Sequence, residues 1–461
     1  VRQDEIEQQE GCAVSDMKID RIDLWHVSVP LPAPFCPSWI PGMAMADNHF
    51  DLLRLTTAGG LEGWAAAPAM GHERSGMGAL LGSYVLGERA DDVPSIRQRI
   101  REMSYLGWRC SWMEAALWDI LGKAAGKPVW RLLSGESGPA PRLQLYASSG
   151  VCRPPAEAAE MAAARVSEGF GAVKLRVHAP TLAEDVAVLQ AVRARVGDGV
   201  RLMVDANQGW RVAVVADAPR WDLDRATAFC VEAARLGFDW VEEPLPFDAY
   251  EAQVELRRRL REAGAAVSVA GGELNNQTVA EFRLMLDKGC LDLYQPDAVF
   301  NGGVSGTWEI IRAVAAAGGR YSPHTWTNGF GFALNTQLFA ASPFREGVRL
   351  EYPLDPPGWV PEGRDGVLQR PFLHDRGSLV LPETPGLGAE VDPAALSRHG
   401  ARFYTATRAR VAVRAVLERG VAAARALGAT RDARIAARSA ALDQHFGGKG
   451  DAVSLALGEL V

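Results

Sequence analysis

Alternating apolar and polar positions mark two early runs, KIDRIDLWHVSVP (18–30) and FDLLRLTTAGGLEGWAAA (50–67), the second turning at its Gly-Gly into a hairpin. A proline-rich loop, PLPAPFCPSWIPGMAMADNH, separates them. From about 95 to 133 the apolar spacing lengthens to three and four, as in SWMEAALWDILGKAAGKPVWRLL, which predicts helices. Strands followed by helices predict a separate α+β unit over 18–138.

After residue 140 short β-rich runs recur: LQLYASS (143–149), AVKLRV (172–177), RLMVDAN (201–207), WVEEP (240–244), SVAGGE (268–273), LDLYQPDA (291–298), RYSPHT (320–325) and VRLEY (348–352). Their starts lie 23 to 39 residues apart, and most gaps hold an Ala- and Leu-rich helical segment. Eight such runs predict an α/β fold of the TIM-barrel kind over 139–355. A doubly wound sheet would carry a glycine-rich phosphate loop after its first strand, and none is present. The 39-residue interval includes an extra stretch, RVAVVADAPRWDLD, on the side where barrel loops build active sites. Residues 356–400 return toward the first unit. An Ala- and Arg-rich stretch over 401–461 predicts a helical extension, and the acidic residues 1–17 predict a disordered tail.

Composition narrows the class of function. The chain has 461 residues, 48% of them hydrophobic, and a formal charge of −7, with no polyanion-binding signature. The extension carries nine Arg and one Lys against five acids, but they are spread as on a solvated helix face or a subunit contact. Nucleic acid and membrane are therefore not expected partners. Six cysteines without a CxxC pair argue against a zinc site or a disulfide framework and fit a reduced, cytoplasmic protein.

Catalytic groups of such barrels sit at the C-terminal ends of the strands. Three consecutive strands end in acids, Asp205, Glu242 and Glu273. Each alone could cap a helix or pair locally; together they would repel across a barrel mouth unless a cation sits among them, and three oxygen ligands suit Mg2+. Of the adjacent Glu242 and Glu243 only one can point inward, and spacing does not decide which. Lys174 and Arg176 alternate on the second strand, so both face the acids. Asp297 and His324 end the sixth and seventh strands, where a carboxylate can hold an imidazole in one tautomer for proton transfer. The other histidines show no HExxH spacing.

Lys174-x-Arg176, Asp205 with Asn207, the EEP of 242–244, the GGE ending at Glu273, Asp297 and His324 together resemble the mandelate racemase branch of the enolase superfamily, the mandelate racemase/muconate lactonizing enzyme family. The resemblance runs from about 18 to 400 and includes ALWDILGKAAGKPVWRLL, similar to that family's capping domain. It implies a modified (β/α)7β barrel under an α+β cap, with Asp205, Glu242 and Glu273 as Mg2+ ligands. It also implies abstraction of the proton α to a carboxylate through an enediolate, with Lys174 on the substrate carboxylate and Glu351, in LEYP, at its opposite oxygen. Relatives commonly form homo-oligomers, from dimer to octamer.

One position departs from the family pattern. Racemases of this branch resemble two-base machines with a second lysine where this chain has Arg176. A guanidinium stays protonated and serves as a fork rather than a base. The expected reaction is therefore dehydration of an acid sugar to a 2-keto-3-deoxy product, with His324 as base and then acid. The alternatives are a racemase, epimerase or cycloisomerase, and more remotely a metal-binding barrel without turnover. Trp39, His72 and Arg74 in the cap loops, with His178 and Asn207 at barrel strand ends, are the candidate substrate contacts.

Overall fold

The computed structural model describes residues 16–210, 212–275 and 279–446. Most of the tail expected over 1–17, and the end of the extension beyond 446, lie outside the described residues. Three strands open the chain: β1 (Ile19–Phe35), β2 (Met45–Thr57) and β3 (Glu62–Pro68). Eight short ones come next: β4 (Arg142–Ser148), β5 (Ala172–Arg176), β6 (Arg201–Asp205), β7 (Phe238–Glu242), β8 (Ser268–Gly271), β9 (Leu293–Tyr294), β10 (Arg320–Tyr321) and β11 (Leu350–Pro353). Finally come β12 (Ser378–Val380) and β13 (Gly400–Thr407).

The first sheet runs β13-β1-β2-β3. Its inner face packs on the helix Glu114–Ala124. The contact is close: a β-carbon on Gly63 would stand 1.9 Å from the Ala116 carbonyl, so glycine is needed there. Residues 400–407 (GARFYTAT), at the start of the expected helical extension, form a strand instead. Phe403, Tyr404 and the β-branched Thr405 fit a pleated surface, and the strand pairs with β1. The extension's helices begin at Arg408. The second of them docks on the cap through Arg434 to Glu88 (2.5 Å) and Arg438 to Asp92 (2.8 Å), while Val413, Leu417 and Val421 remain exposed.

The second sheet is parallel from β10 through β4 to β11, with β12 added antiparallel on β4. Ser322 Oγ donates to the Arg349 carbonyl (2.9 Å), which links the ends of the seventh and eighth barrel strands. Each of β4 to β10 leads into a helix of ten to fifteen residues, whereas β11 leads only to the short Pro361–Arg364 turn. This is the (β/α)7β form. Local signals set the helix starts: Thr181 and Glu184 form a reciprocal capping box, and Asp222 caps Leu223–Arg235. Among the described residues no helix is long and apolar enough to cross a membrane.

Side chains alternate along each strand, and this fixes the barrel interior. Tyr146, Ala172, Met203, Trp240, Ala270 and Leu293 form one buried apolar layer. Two residues further along β5, β6 and β7 the inward positions are Lys174, Asp205 and Glu242. The apolar floor and the charged mouth are thus consecutive turns of the same pleat.

Candidate active site

Lys174 is fully buried, with its Nζ 2.5 Å from Glu242 Oε1 and 2.7 Å from Glu351 Oε1. Burial disfavours the ammonium, but the Glu242 and Glu351 carboxylates outweigh it and raise its pKa. Lys174 therefore stays charged. Arg176 donates from Nε to the Ser149 carbonyl (2.7 Å) and from Nη1 to Asp205, with Asn207 Oδ1 3.3 Å away. Its guanidinium lies over Trp39 (5.3 Å) and Trp326 (5.5 Å). Its Nη2 is buried and, among the described residues, meets no acceptor.

The acids are held as firmly. Glu242 Oε2 accepts from Gln295 Nε2 (2.7 Å) and Trp240 Nε1 (3.2 Å). Burial pushes its carboxyl up, but Lys174 and Arg176 prevail and hold it down at about 2. Asp205 Oδ1 accepts from the Asn207 amide (2.7 Å). Burial, and then the Glu242 and Glu273 charges, push Asp205 up against the pull of Arg176 and Lys174. Burial also raises Glu273. Beyond the strand ends, Asn207 (φ 47°) and Glu243 (φ 44°) take left-handed backbone conformations uncommon for residues other than glycine. Glu242 ends β7 on the inward face; Glu243 turns off it and lies against Gly209.

Across the mouth, His324 Nδ1 is 3.0 Å from Asp297 Oδ2, and Nε2 is 3.3 Å from Glu273 Oε2. Asp297 Oδ1 accepts from Asn335 Nδ2 (2.7 Å) and the Val299 amide (2.8 Å), so the carboxylate cannot swing. Burial lowers the imidazole's affinity for a proton, but Glu273 and the Asp297 hydrogen bond overcome this and raise its pKa to about 9. Glu351 Oε2 accepts from the Thr325 amide (2.7 Å), leaving Oε1 to Lys174.

The cap and the barrel meet here. Ser38 Oγ donates to Asn207 Oδ1 (2.5 Å), and His178 Nε2 lies 3.0 Å from the Ser38 carbonyl. The long loop after β6 joins the same cap segment, through the Val212 amide to the Trp39 carbonyl and Ala216 to that of Pro41. Trp39, Asn207 and His178 are therefore gathered at the mouth with Arg176. The contacts of His72 and Arg74 run elsewhere: Arg74 pairs with Asp51 (2.9 Å), and exposed His72 packs edge-on against His26. Sequence reasoning passed over Gln295, Trp326 and Asn335. Gln295 was accessible to it, being a polar residue in register with Leu293 and Asp297 on the inward face of an apolar strand.

Five buried acids, Asp205, Glu242, Glu273, Asp297 and Glu351, face Lys174, Arg176 and His324. Even with the imidazole protonated, negative charge exceeds positive by two. Among the described residues no three acid, histidine or cysteine side chains form a ready metal cluster, because Lys174 and Arg176 reach in between them. The oxygen-only donors and the uncompensated charge nevertheless fit a hard divalent ion, which Asp205, Glu242 and Glu273 could hold.

Residues 22–134 match the mandelate racemase/muconate lactonizing enzyme N-terminal domain, and 157–395 match the enolase C-terminal domain-like family. The chain is 33% identical over 301 residues to the D-galactarolactone cycloisomerase of Agrobacterium fabrum, covering 62% of this chain and 72% of that enzyme. It is 28% identical over 283 residues to the arabinonate dehydratase of Saccharolobus solfataricus, covering 60% and 68%. The L-talarate/galactarate dehydratase of Salmonella typhimurium, solved with Mg and L-lyxarohydroxamate, superposes with a TM-score of 0.70 over 85% of this chain and 94% of that one. At 24% identity that likeness speaks to the fold alone. The two matched domains, in this order and over this architecture, make the chain a member of the mandelate racemase/muconate lactonizing enzyme family of the enolase superfamily, whose relatives here act on acid sugars as dehydratases and cycloisomerases.

Proposed function

We propose that the protein dehydrates an acid sugar to its 2-keto-3-deoxy acid in a Mg2+-dependent reaction that begins with removal of the proton α to the carboxylate. The observation that carries this reading is the asymmetry of the two walls. One wall holds an imidazole backed by a fixed carboxylate; the other holds a guanidinium fastened to Ser149 and Asp205 and lying against two indoles. A permanently protonated group cannot take a proton from carbon, so one base serves, and two-base racemisation is disfavoured.

A divalent ion held by Asp205, Glu242 and Glu273 would supply fixed positive charge to offset the negative charge that grows on the substrate as the C–H bond breaks. Lys174, held charged, takes the carboxylate from another side. Arg176 offers Nη2 to a substrate oxygen and keeps it in place. The deprotonated form of His324, a minority below its raised pKa of about 9, accepts the α-proton at Nε2 while Asp297 stabilises the resulting cation through Nδ1. The C–H electrons form the carbon–carbon double bond, and the β-hydroxyl leaves as water with the proton returned by His324. The resulting enol tautomerises to the 2-keto acid.

The test is a panel of acid sugars with Mg2+ in D2O, reading keto-acid formation and α-deuterium together. Stereorandom exchange without keto product would overturn dehydration. The 33% identity to a cycloisomerase favours a second reading, ring opening or closure by the same base. That outcome gives an isomer of unchanged mass and no released water.

A further inference from the structure

Behind the end of β7 lies a small buried cavity of about 10 Å³, bounded by Glu243, Gln253, Asn275, Gly271 and Gly272 among others. Glu243, Gln253 and Asn275 are 4%, 5% and 0% exposed. Among the described residues, four oxygens of these side chains meet no donor: Glu243 Oε1 and Oε2, Gln253 Oε1 and Asn275 Oδ1. The amide orientations are dictated by their nitrogens. Gln253 Nε2 donates to the Pro246 carbonyl (3.0 Å), and Asn275 Nδ2 donates to the Phe247 carbonyl (3.2 Å) and to Glu281 (2.8 Å). Flipping either amide would set oxygen against oxygen. Glycine at 209 makes room for the carboxylate, since a β-carbon there would fall 2.0 Å from Glu243 Oε1.

We propose that this cavity binds one small alkali cation, sodium in size, through the carboxylate of Glu243 and the amide oxygens of Gln253 and Asn275. The volume suits a single water-sized particle. A water has two hydrogens to give and would leave two of the four oxygens unpaired, whereas a cation can accept all four. One carboxylate and two neutral amides match a single positive charge, and among the described residues no Lys, Arg or His borders the cavity. Its position gives the ion a role. Glu243 donates its amide to the Ala270 carbonyl (2.9 Å) and accepts from the Gln208 amide (2.9 Å). The cation would therefore brace the loops that carry Asp205, Glu242 and Glu273. This inference stands apart from the reading of turnover, because the ion is detected without substrate or Mg2+.

The test is thermal unfolding of the full chain with a divalent chelator added as its choline salt, in sodium chloride or choline chloride at equal ionic strength. Sodium is expected to raise the midpoint saturably by about 2–5 °C over choline. Glu243→Gln and Gln253→Met should lose that rise, while Asp205→Asn, which alters the divalent site, should keep it. Gln253→Met preserves volume and carries the test if Glu243→Gln does not fold. Coincident midpoints in sodium and choline would overturn the proposal in favour of a bound water, as would a sodium response that survives in Gln253→Met.

Discussion

Asp297→Asn isolates the part of the chemistry assigned to the His324–Asp297 pair. The carboxylate sits 3.0 Å from Nδ1 and both groups are buried. At an effective dielectric of about 20, a charge pair at that separation interacts by roughly 5 kcal/mol. Asparagine keeps the shape and one oxygen for the Val299 amide but turns an N–H toward Nδ1. That moves the ring proton to Nε2, where the α-proton has to be received. Loss of the charge and of the tautomer should lower kcat by about 10³-fold, or about 4 kcal/mol in barrier. The assay is steady-state keto-acid formation across pH, with Mn2+ binding followed by electron paramagnetic resonance. The reasoning predicts metal affinity within a few-fold of the parent, since Asp297 is not among the candidate ligands. Turnover within threefold of the parent would refute it, as would a loss of activity matched by a loss of Mn2+.

Lys174→Met should abolish turnover and also lower the unfolding midpoint of the metal-free protein, because breaking a buried pair leaves Glu242 and Glu351 without their shared cation at a cost of about 3–5 kcal/mol. Arg176→Lys should lower kcat/KM about 10- to 100-fold, chiefly through KM, by losing the planar fork that lies over Trp39 and Trp326; an unchanged KM in steady-state kinetics would count against an anchoring role. Asp23, unexposed in the cap sheet, is pushed up by burial but held down to about 2 by Arg21, Thr405 and Arg54. Its folded pKa is depressed, so its stabilisation is complete above about pH 4 and is lost as pH falls through 2. Asp23→Asn should therefore cost about 2 kcal/mol at pH 7 in urea denaturation, and the gap between the two proteins should close toward pH 2.

The chemistry-bearing strands were legible because strand geometry is periodic. Once AVKLR is read as a strand, Lys174 and Arg176 must share a face, and the acids ending the next three runs must ring the same mouth. The turn beyond a strand's last residue was not legible. Glu242 and Glu243 are identical letters, and only the left-handed turn at Glu243, with space ceded by Gly209, sends one inward and the other behind the barrel. The cap loops were harder still. SWIP and GHER look alike as polar loops, yet Trp39 reaches the mouth while Arg74 pairs with Asp51 on a neighbouring strand of the cap, a contact separated by 23 positions in the chain. Residues 400–407 border an Ala- and Arg-rich stretch, and their pairing with β1 bridges almost the whole sequence, beyond the reach of local propensity.

The two indoles on Arg176 come from different parts of the protein, Trp39 from the cap loop and Trp326 from the barrel. The guanidinium thus contacts both, and lifting the loop would remove one of its two aromatic neighbours and the Ser38 bond to Asn207. On the proposed reading of Arg176 as the substrate's anchor, opening this loop and loosening that anchor would be one event. A loop held open would leave a site with its base intact and its grip loosened, so substitutions at Trp39 should change how fast product escapes as well as which acid is held.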